Sequence, residues 1–366
     1  MVRKTAPAKP KAVVIGSGSW GTTFAKVLAD AGCETVIWAR RQEVADEINS
    51  EHRNSKYLPE IQLPPDLTAT TDLTAAVGTA EYVFLAVPSQ QLRGVLEQLV
   101  ADLHPEAIII SLIKGVERNT NLRMSQVITE TLEWSIEQVA VISGPNIALE
   151  IAKQQPTGAV VSCVDLVVAQ KVAKLTSTPY FKTYITTDLT GTELGGVLKN
   201  LIALAIGIVD GVGYGENTKA AIITRGIAEM NEFAVASGAH PTTMMGLAGL
   251  GDLITTCQSP LSRNSTAGRL LGSGLTREQI AERMNQVVEG ITAVTPVLEL
   301  AQKRAIKMPI VEQVQMVLDG RMPPHQLGPH LTTEDDVPEH ESSAAEKHHK
   351  LSLWQKIQRW FGALRH

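Results

Sequence analysis

Residues 12–21 read AVVIGSGSWG: four consecutive apolar residues, three of them β-branched, then Gly16, Gly18 and Gly21 spaced as G-x-G-x-x-G. The apolar run is the pattern of a buried strand, and Trp20–Asp30 has helical periodicity. A second apolar run, Thr35–Trp38, follows. The glycine spacing is weak by itself, but strand, tight turn, helix and strand are the setting in which it carries meaning. Gly16 would make the turn, Gly18 would let a pyrophosphate approach the backbone, and Gly21 would let the helix pack on the strand. The helix N-terminus adds unpaired N–H groups and a partial positive charge. The alternative is a glycine-rich turn that binds nothing.

The same alternation continues outward from this stretch. Tyr82–Val87, Ala107–Ser111 and Val139–Ser143 are apolar runs separated by helical segments such as Leu92–Val100. Strands that are apolar on both sides predict an α/β fold with a parallel sheet covered on both faces. The character changes after about Leu189. Segments 192–209, 218–238, 289–304 and 309–319 are rich in Ala, Leu, Ile and Met, with turn-rich pieces at Asp210–Asn217 and Ser259–Asn264. This predicts a second, all-α domain. The expected organisation is a flexible arm over 1–10, a sheet domain over 11–189, a helical domain over 190–322, a linker over 323–350 and an amphipathic tail helix over 351–366.

Composition narrows the function. With 33 Lys+Arg against 38 Asp+Glu the net charge is −5, which disfavours nonspecific nucleic-acid binding. Cys33, Cys163 and Cys257 are too few and too scattered for a disulfide framework or a thiolate metal cluster, which fits a reducing, cytoplasmic setting. No uninterrupted apolar run approaches the ~20 residues of a membrane span; the longest, Leu201–Val209, stops at Asp210. Outside the C-terminal stretch only His52, His104 and His240 remain, with no catalytic pair and no metal spacing. A metal-free mechanism based on lysine is the expectation.

The end of the second strand selects the cofactor. Arg40 and Arg41 stand where a carboxylate would otherwise bind a ribose 2′-hydroxyl, and no acid occurs before Glu43. Guanidinium groups pair with a 2′-phosphate, so NADP(H) is preferred, with NAD(H) possible. The alternative is two arginines that only cover an exposed strand end.

Leu194–Val209 is apolar nearly all round, so its helix should be buried, and Lys199 lies inside it. Gly195, Lys199, Ala203 and Gly207 share one face, three of them small, so another segment can come close to the lysine. Burial lowers a lysine pKa and suits it to proton transfer. It could instead snorkel, or pair with Glu193 or Asp252. Lys114, in SLIKG, follows a strand end where open α/β sheets bind ligands; a merely solvated lysine is the alternative. Ser143-Gly144-Pro145-Asn146 follows the next strand run and could donate to ligand oxygens. Gly249–Leu253 and Ser262-Arg263-Asn264 are placed in turns. Asp252 could orient a hydroxyl or simply cap a helix; Arg263 could bind phosphate or be a surface charge.

Together these segments resemble the NAD(P)-dependent glycerol-3-phosphate dehydrogenase family of the soluble bacterial type, over roughly residues 11–320. The matching stretches are VIGSGSWGTTFA, SLIKG, ISGPNIALE, GTELGGVLKNLIALAIGIVDGVGYGENTKAAIITRG, GLAGLGDLITTC, SRN and QVVEG. The resemblance implies a Rossmann-type N-terminal domain, a helical C-terminal domain and an active site between them. It implies reversible reduction of dihydroxyacetone phosphate to sn-glycerol 3-phosphate for phospholipid synthesis. Lys199 matches the catalytic lysine. Lys114, Gly144, Asn146, Lys199, Asp252, Ser262, Arg263 and Asn264 match substrate positions. Ser19, Trp20, Arg40, Arg41, Tyr57, Lys114, Ala148, Arg263, Val287 and Glu289 match cofactor positions. Asn146 stands where many bacterial relatives carry Ser or Thr, all able to hydrogen-bond an oxygen. A homodimer is implied by the family alone.

The tail departs from the family pattern. Leu353, Trp354, Ile357, Trp360, Phe361 and Leu364 fall on one helical face, with Lys356, Arg359 and Arg365 elsewhere. Such a helix could touch anionic lipid or dock on its own domain or a partner subunit. Two rival functions stand beside the dehydrogenase reading: a related two-domain enzyme acting on hydroxy acids or phosphosugars, and a silent NADP-binding regulator. The GLAGLGDL and SRN segments argue against the first, and Lys199, Asp252 and Arg263 together against the second.

Overall fold

The computed structural model describes residues 8–284 and 287–330. Its first half is a single eight-stranded sheet in the order β3-β2-β1-β4-β5-β6-β7-β8. In chain order the elements are β1 (Lys11–Ile15), α1 (Ser19–Asp30), β2 (Glu34–Trp38), α2 (Gln42–Glu51), β3 (Thr68–Thr70), α3 (Leu73–Val77), β4 (Tyr82–Leu85) and α4 (Leu92–Leu99). Then come β5 (Ile108–Ser111), α5 (Met124–Leu132), β6 (Val139–Ser143), α6 (Ala148–Ala152), β7 (Thr157–Ser162), α7 (Leu166–Leu175) and β8 (Phe181–Thr186). Strands β1 to β6 run parallel, β7 is antiparallel to β6, and β8 is parallel to β7.

Side chains alternate between the two faces. Val14, Phe84, Ile110 and Phe181 join Phe24 and Leu28 in one core. Val13, Ile15, Val83, Leu85 and Ile109 join Leu92 and Val127 in the other. Both faces are covered, which is why these strands read as unbroken apolar runs. The chain order reverses between β1 and β4, so their C-terminal ends open onto the crevice where such sheets take ligands.

The second half is helical: α8 (Leu189–Val212), α9 (Glu216–Ala236), α10 (Asp252–Gln258), α11 (Arg263–Gly272), α12 (Arg277–Arg283), α13 (Glu289–Lys303), α14 (Pro309–Leu318) and α15 (Leu327–His330). Helix α8 is long and apolar enough to cross a membrane, yet most of it is buried within the fold. Its apolarity serves the core. Side chains added at Gly207 and Gly211 would overlap the backbone of α11, and at Gly268 and Gly272 the backbone of α8. The two helices therefore meet backbone to backbone.

Four expectations change. The turn placed at Ser259–Asn264 ends sooner, because Ser262 caps α11 and Arg263 and Asn264 already lie in its first turn. Asp252 is likewise the first residue of α10, entered from a π-helical turn at Leu247–Gly251. Within residues 323–330, expected to begin the linker, Leu327 is fully buried and the Tyr214 hydroxyl donates to the His325 carbonyl at 2.7 Å. At the other end, Pro10, assigned to the arm, accepts the Glu34 N–H at 2.9 Å. The tail helix over 351–366 and the rest of the linker lie outside the described residues.

Candidate active site

The glycine loop has the shape its sequence predicts. Gly16 adopts φ +117°, a conformation that favours glycine, and a side chain there would press on the Ala86 carbonyl of the neighbouring strand exit. A side chain at Gly21 would overlap the Gly16 carbonyl, so α1 can pack on β1 only with glycine there. Gly18 has open space around it. Trp20 packs edge-on against Phe24 with ring centroids 5.4 Å apart. The Ser19 hydroxyl donates to the Tyr57 carbonyl at 3.3 Å, and Thr23 of α1 donates to the Ala148 carbonyl at 3.2 Å. Arg40 is exposed at the end of β2 and Arg41 follows it, 3.4 Å from Glu43. An open, glycine-lined cradle beside two arginines fits a dinucleotide with a 2′-phosphate.

The ionisable groups converge where the two halves meet. Lys114 lies three residues beyond β5, and Gly144 directly follows β6. The Lys114 ammonium donates to the Gly144 carbonyl at 2.9 Å and to Asp252 Oδ2 at 2.7 Å. Lys199 Nζ lies 3.0 Å from Asp252 Oδ1 and donates to Thr256 Oγ1 at 2.6 Å. One carboxylate, 2 % exposed, thus bridges two lysines. The small face of α8 is what allows it. A side chain at Gly195 would overlap the Ala248 carbonyl, so the turn leading into α10 presses directly against α8 and delivers Asp252 and Thr256 to the lysine.

Burial lowers the Lys199 pKa to about 8, with Lys114 adding to the fall and Asp252 opposing it. Two lysines thus face a single buried carboxylate. Asn146 lies beside this network with both amide atoms buried and unpartnered by protein, as is the Ser143 hydroxyl. Unmade hydrogen bonds of that kind are costly unless water or a ligand completes them.

Arg263, exposed at the start of α11, donates to the Val287 carbonyl at 2.8 Å. The Asn264 amide bonds Asn200 at 2.7 Å and the Gly290 N–H at 2.9 Å, tying α11 to α8 and α13. The Ser262 hydroxyl accepts the Ser265 N–H at 3.2 Å. Ser262 and Asn264 are therefore engaged within the protein and shape the end of α11.

Sequence reasoning missed two further partners. Thr256 is the i+4 neighbour of Asp252, a relation hidden while that segment was read as a turn. Ser89 holds Glu289: its N–H and hydroxyl donate to the two carboxylate oxygens at 3.1 and 2.6 Å. No local pattern links residues 200 positions apart. The seam repeats this chemistry. Glu193 accepts from Arg123 and from the Ser125 N–H and hydroxyl, and Glu299 accepts from Asn121 at 2.9 Å. Among these contacts every carboxylate belongs to the helical half and every donor to the sheet half.

Fold and site together set a glycine-lined cradle suited to a dinucleotide in the sheet half and a buried lysine at the junction of the two halves. The sequence profile described as NAD-dependent glycerol-3-phosphate dehydrogenase N-terminus matches residues 11–169, and the corresponding C-terminus profile matches residues 188–328. The chain belongs to the NAD-dependent glycerol-3-phosphate dehydrogenase family. It is 55% identical over 359 residues to the glycerol-3-phosphate dehydrogenase [NAD(P)+] of Leifsonia xyli subsp. xyli, covering 96% of this chain and 97% of that one. With the enzyme of the same name from Thermobifida fusca it shares 50% identity over 315 residues, 86% of this chain and 94% of the relative. The crystal structure of glycerol-3-phosphate dehydrogenase from Coxiella burnetii superposes with a TM-score of 0.84 at 34% identity, covering 89% of this chain and 99% of that one.

Proposed function

We propose that this chain reduces dihydroxyacetone phosphate reversibly to sn-glycerol 3-phosphate with NAD(P)H, and that Lys199 moves the proton. The observation that carries the assignment of Lys199 is the Lys114–Asp252–Lys199 bridge at the junction. When bound, the nicotinamide would supply a hydride for the C2 carbonyl carbon. The C2 oxygen gains negative charge as the hydride arrives, and the Lys199 ammonium stabilises it and hands over its proton at Nζ. In oxidation the neutral amine takes that proton back. Asp252 fixes both lysines, and Thr256 limits the orientations open to Nζ. Lys114, Gly144 and Asn146 line the junction from the sheet side. Arg263, with the α11 N-terminus shaped by Ser262 and Asn264, draws the substrate phosphate. Gly16, Gly18, Ser19, Trp20, Gly21, Tyr57 and Ala148 hold the dinucleotide, with Val287 and Glu289 reaching it from the helical half. Arg40 and Arg41 hold the 2′-phosphate.

Steady-state oxidation of NADPH and NADH with dihydroxyacetone phosphate tests both the reaction and the cofactor selection. The wild type turns over with NADPH. Arg40→Asp raises the KM for NADPH by about tenfold or more and shifts preference towards NADH, because a carboxylate repels the 2′-phosphate and accepts a 2′-hydroxyl. An unchanged cofactor ratio removes the role of Arg40; no turnover with either cofactor removes the function.

The reading extends to a cytoplasmic homodimer, measurable by sedimentation velocity, and to weak lipid contact through the tail. The Leifsonia match leaves out only 4% of this chain, so it runs into residues 331–366. The C-terminal segment thus has a counterpart in at least that relative, where the sequence had suggested a departure from the family. Flotation with anionic liposomes should carry a larger fraction of the full chain than of one ending at residue 330. Equal fractions would exclude lipid contact through the tail and leave docking on protein.

A further inference from the structure

The connection from α2 to β3 folds back onto the glycine loop, and Asn54 is its innermost residue, with no exposed surface. Asn54 Nδ2 donates to the Ser17 carbonyl at 2.9 Å and to Thr22 Oγ1 at 2.8 Å. The Thr22 hydroxyl donates to the same Ser17 carbonyl at 3.2 Å. Asn54 is itself fixed, its own carbonyl accepting the Tyr57 and Leu58 N–H groups at 3.1 and 2.8 Å. The amide orientation follows from its partners, since turning it over would set its oxygen against the Ser17 oxygen. Its Oδ1 is buried with no hydrogen-bond partner. A side chain that only filled space would be better replaced by an apolar one.

The peptide joining Ser17 to Gly18 is planar and trans, so its C=O and N–H point in opposite directions. Holding the carbonyl towards Asn54 turns the Gly18 N–H away from it, to the other side of the loop. A side chain added at Gly18 would meet nothing within 4 Å, so no packing at that residue resists rotation of this peptide, and the bonds from Asn54 and Thr22 to the Ser17 carbonyl oppose it. A rotated peptide would offer a carbonyl oxygen where an anion needs a donor.

We propose that Asn54, assisted by Thr22, is a positioning residue for the cofactor pyrophosphate: it locks the Ser17–Gly18 peptide with its N–H available to phosphate oxygen. The proposal rests on the dinucleotide reading of the glycine loop. It differs from the arginine pair in acting on a part common to NADPH and NADH.

The test is ligand binding to the full chain without dihydroxyacetone phosphate, followed by cofactor fluorescence for NADPH and NADH and by calorimetry for adenosine 2′-monophosphate, which has no pyrophosphate. Asn54→Ala should raise the Kd of both dinucleotides by the same factor, about tenfold. Adenosine 2′-monophosphate should bind as to wild type, and kcat at saturating NADPH should stay within about twofold. Thr22→Val, which removes one of the two bonds to the Ser17 carbonyl, should move dinucleotide affinity in the same direction by a smaller factor, and serves if Asn54→Ala does not fold. Unchanged NADPH affinity in the folded variants, or an equal loss for adenosine 2′-monophosphate, overturns the role of Asn54. A wild-type chain that binds no dinucleotide overturns the glycine-loop reading with it.

Discussion

Lys199→Ala lowers kcat for dihydroxyacetone phosphate reduction by about 10³-fold or more and leaves the Kd for NADPH within about twofold. The expected size combines loss of a general acid with loss of the fixed charge beside the forming alkoxide. The wild-type pH profile carries the same assignment. With the Lys199 pKa lowered to about 8, reduction needs the protonated form and falls as pH rises through that value. Oxidation of glycerol 3-phosphate needs the neutral amine and rises through it. Lys199→Ala should flatten this inflection in both directions. Stability has its own sign: between about 8 and 10.5 the unfolded chain binds the proton that the folded lysine has lost, so stability rises with pH across that window. Near-normal turnover in the variant, or an inflection that survives it, would falsify the assignment.

Asp252→Asn is the second large effect. It leaves two ammonium groups facing a neutral amide in a site where the carboxylate was 2 % exposed. Breaking a buried pair from one side costs about 3–5 kcal/mol, and less here because Lys199 can shed its proton. The expected results are a melting temperature several degrees lower near neutral pH, partly restored at higher pH where Lys199 discharges, and kcat reduced by about 10²-fold or more. The residual reductase activity should have its upper pH limit moved to lower pH, because the partner that raised the Lys199 pKa is gone. Simple loss of folded protein would scale the whole profile without moving it, so an unmoved limit would show that Asp252 does not set the charge of Lys199.

The parts of the fold legible in the sequence are those buried on both sides. Strands β1, β2, β4, β5 and β6 announced themselves as apolar runs because helices cover both faces. Strand β3, with three residues, is too short to show a period. Strand β7 carries Gly158 and turns antiparallel, and β8, FKTYIT, mixes polar and apolar residues without a period because it lies at the sheet edge, where Tyr184 and Ile185 remain exposed. In the site, residue chemistry was readable and pairing only in part. The small face of α8 predicted a close neighbour for Lys199, and of the two carboxylates weighed as its partner, Glu193 and Asp252, the structure pairs it with Asp252; nothing local said that Lys114, 138 residues away, shares that carboxylate. Glu193 was weighed as a partner for Lys199 and is instead engaged with Arg123 and Ser125. The turn assigned around Gly249–Leu253 concealed a helix, and with it the i+4 link to Thr256.

The one-sided seam between the halves limits how this chain can be cut or recombined. Severed near residue 188, the C-terminal piece would keep the acceptors Glu193, Asp252, Glu289 and Glu299, and the N-terminal piece would keep Ser89, Lys114, Asn121, Arg123 and Ser125, the groups that answer them. Each fragment would then present to water a surface chemically matched to the other. The sheet half is built on a widely used nucleotide-binding plan, but it is not a free module here. A hybrid taking one half from a relative would have to bring the opposing donors or acceptors with it, so the two halves are constrained to change as a pair.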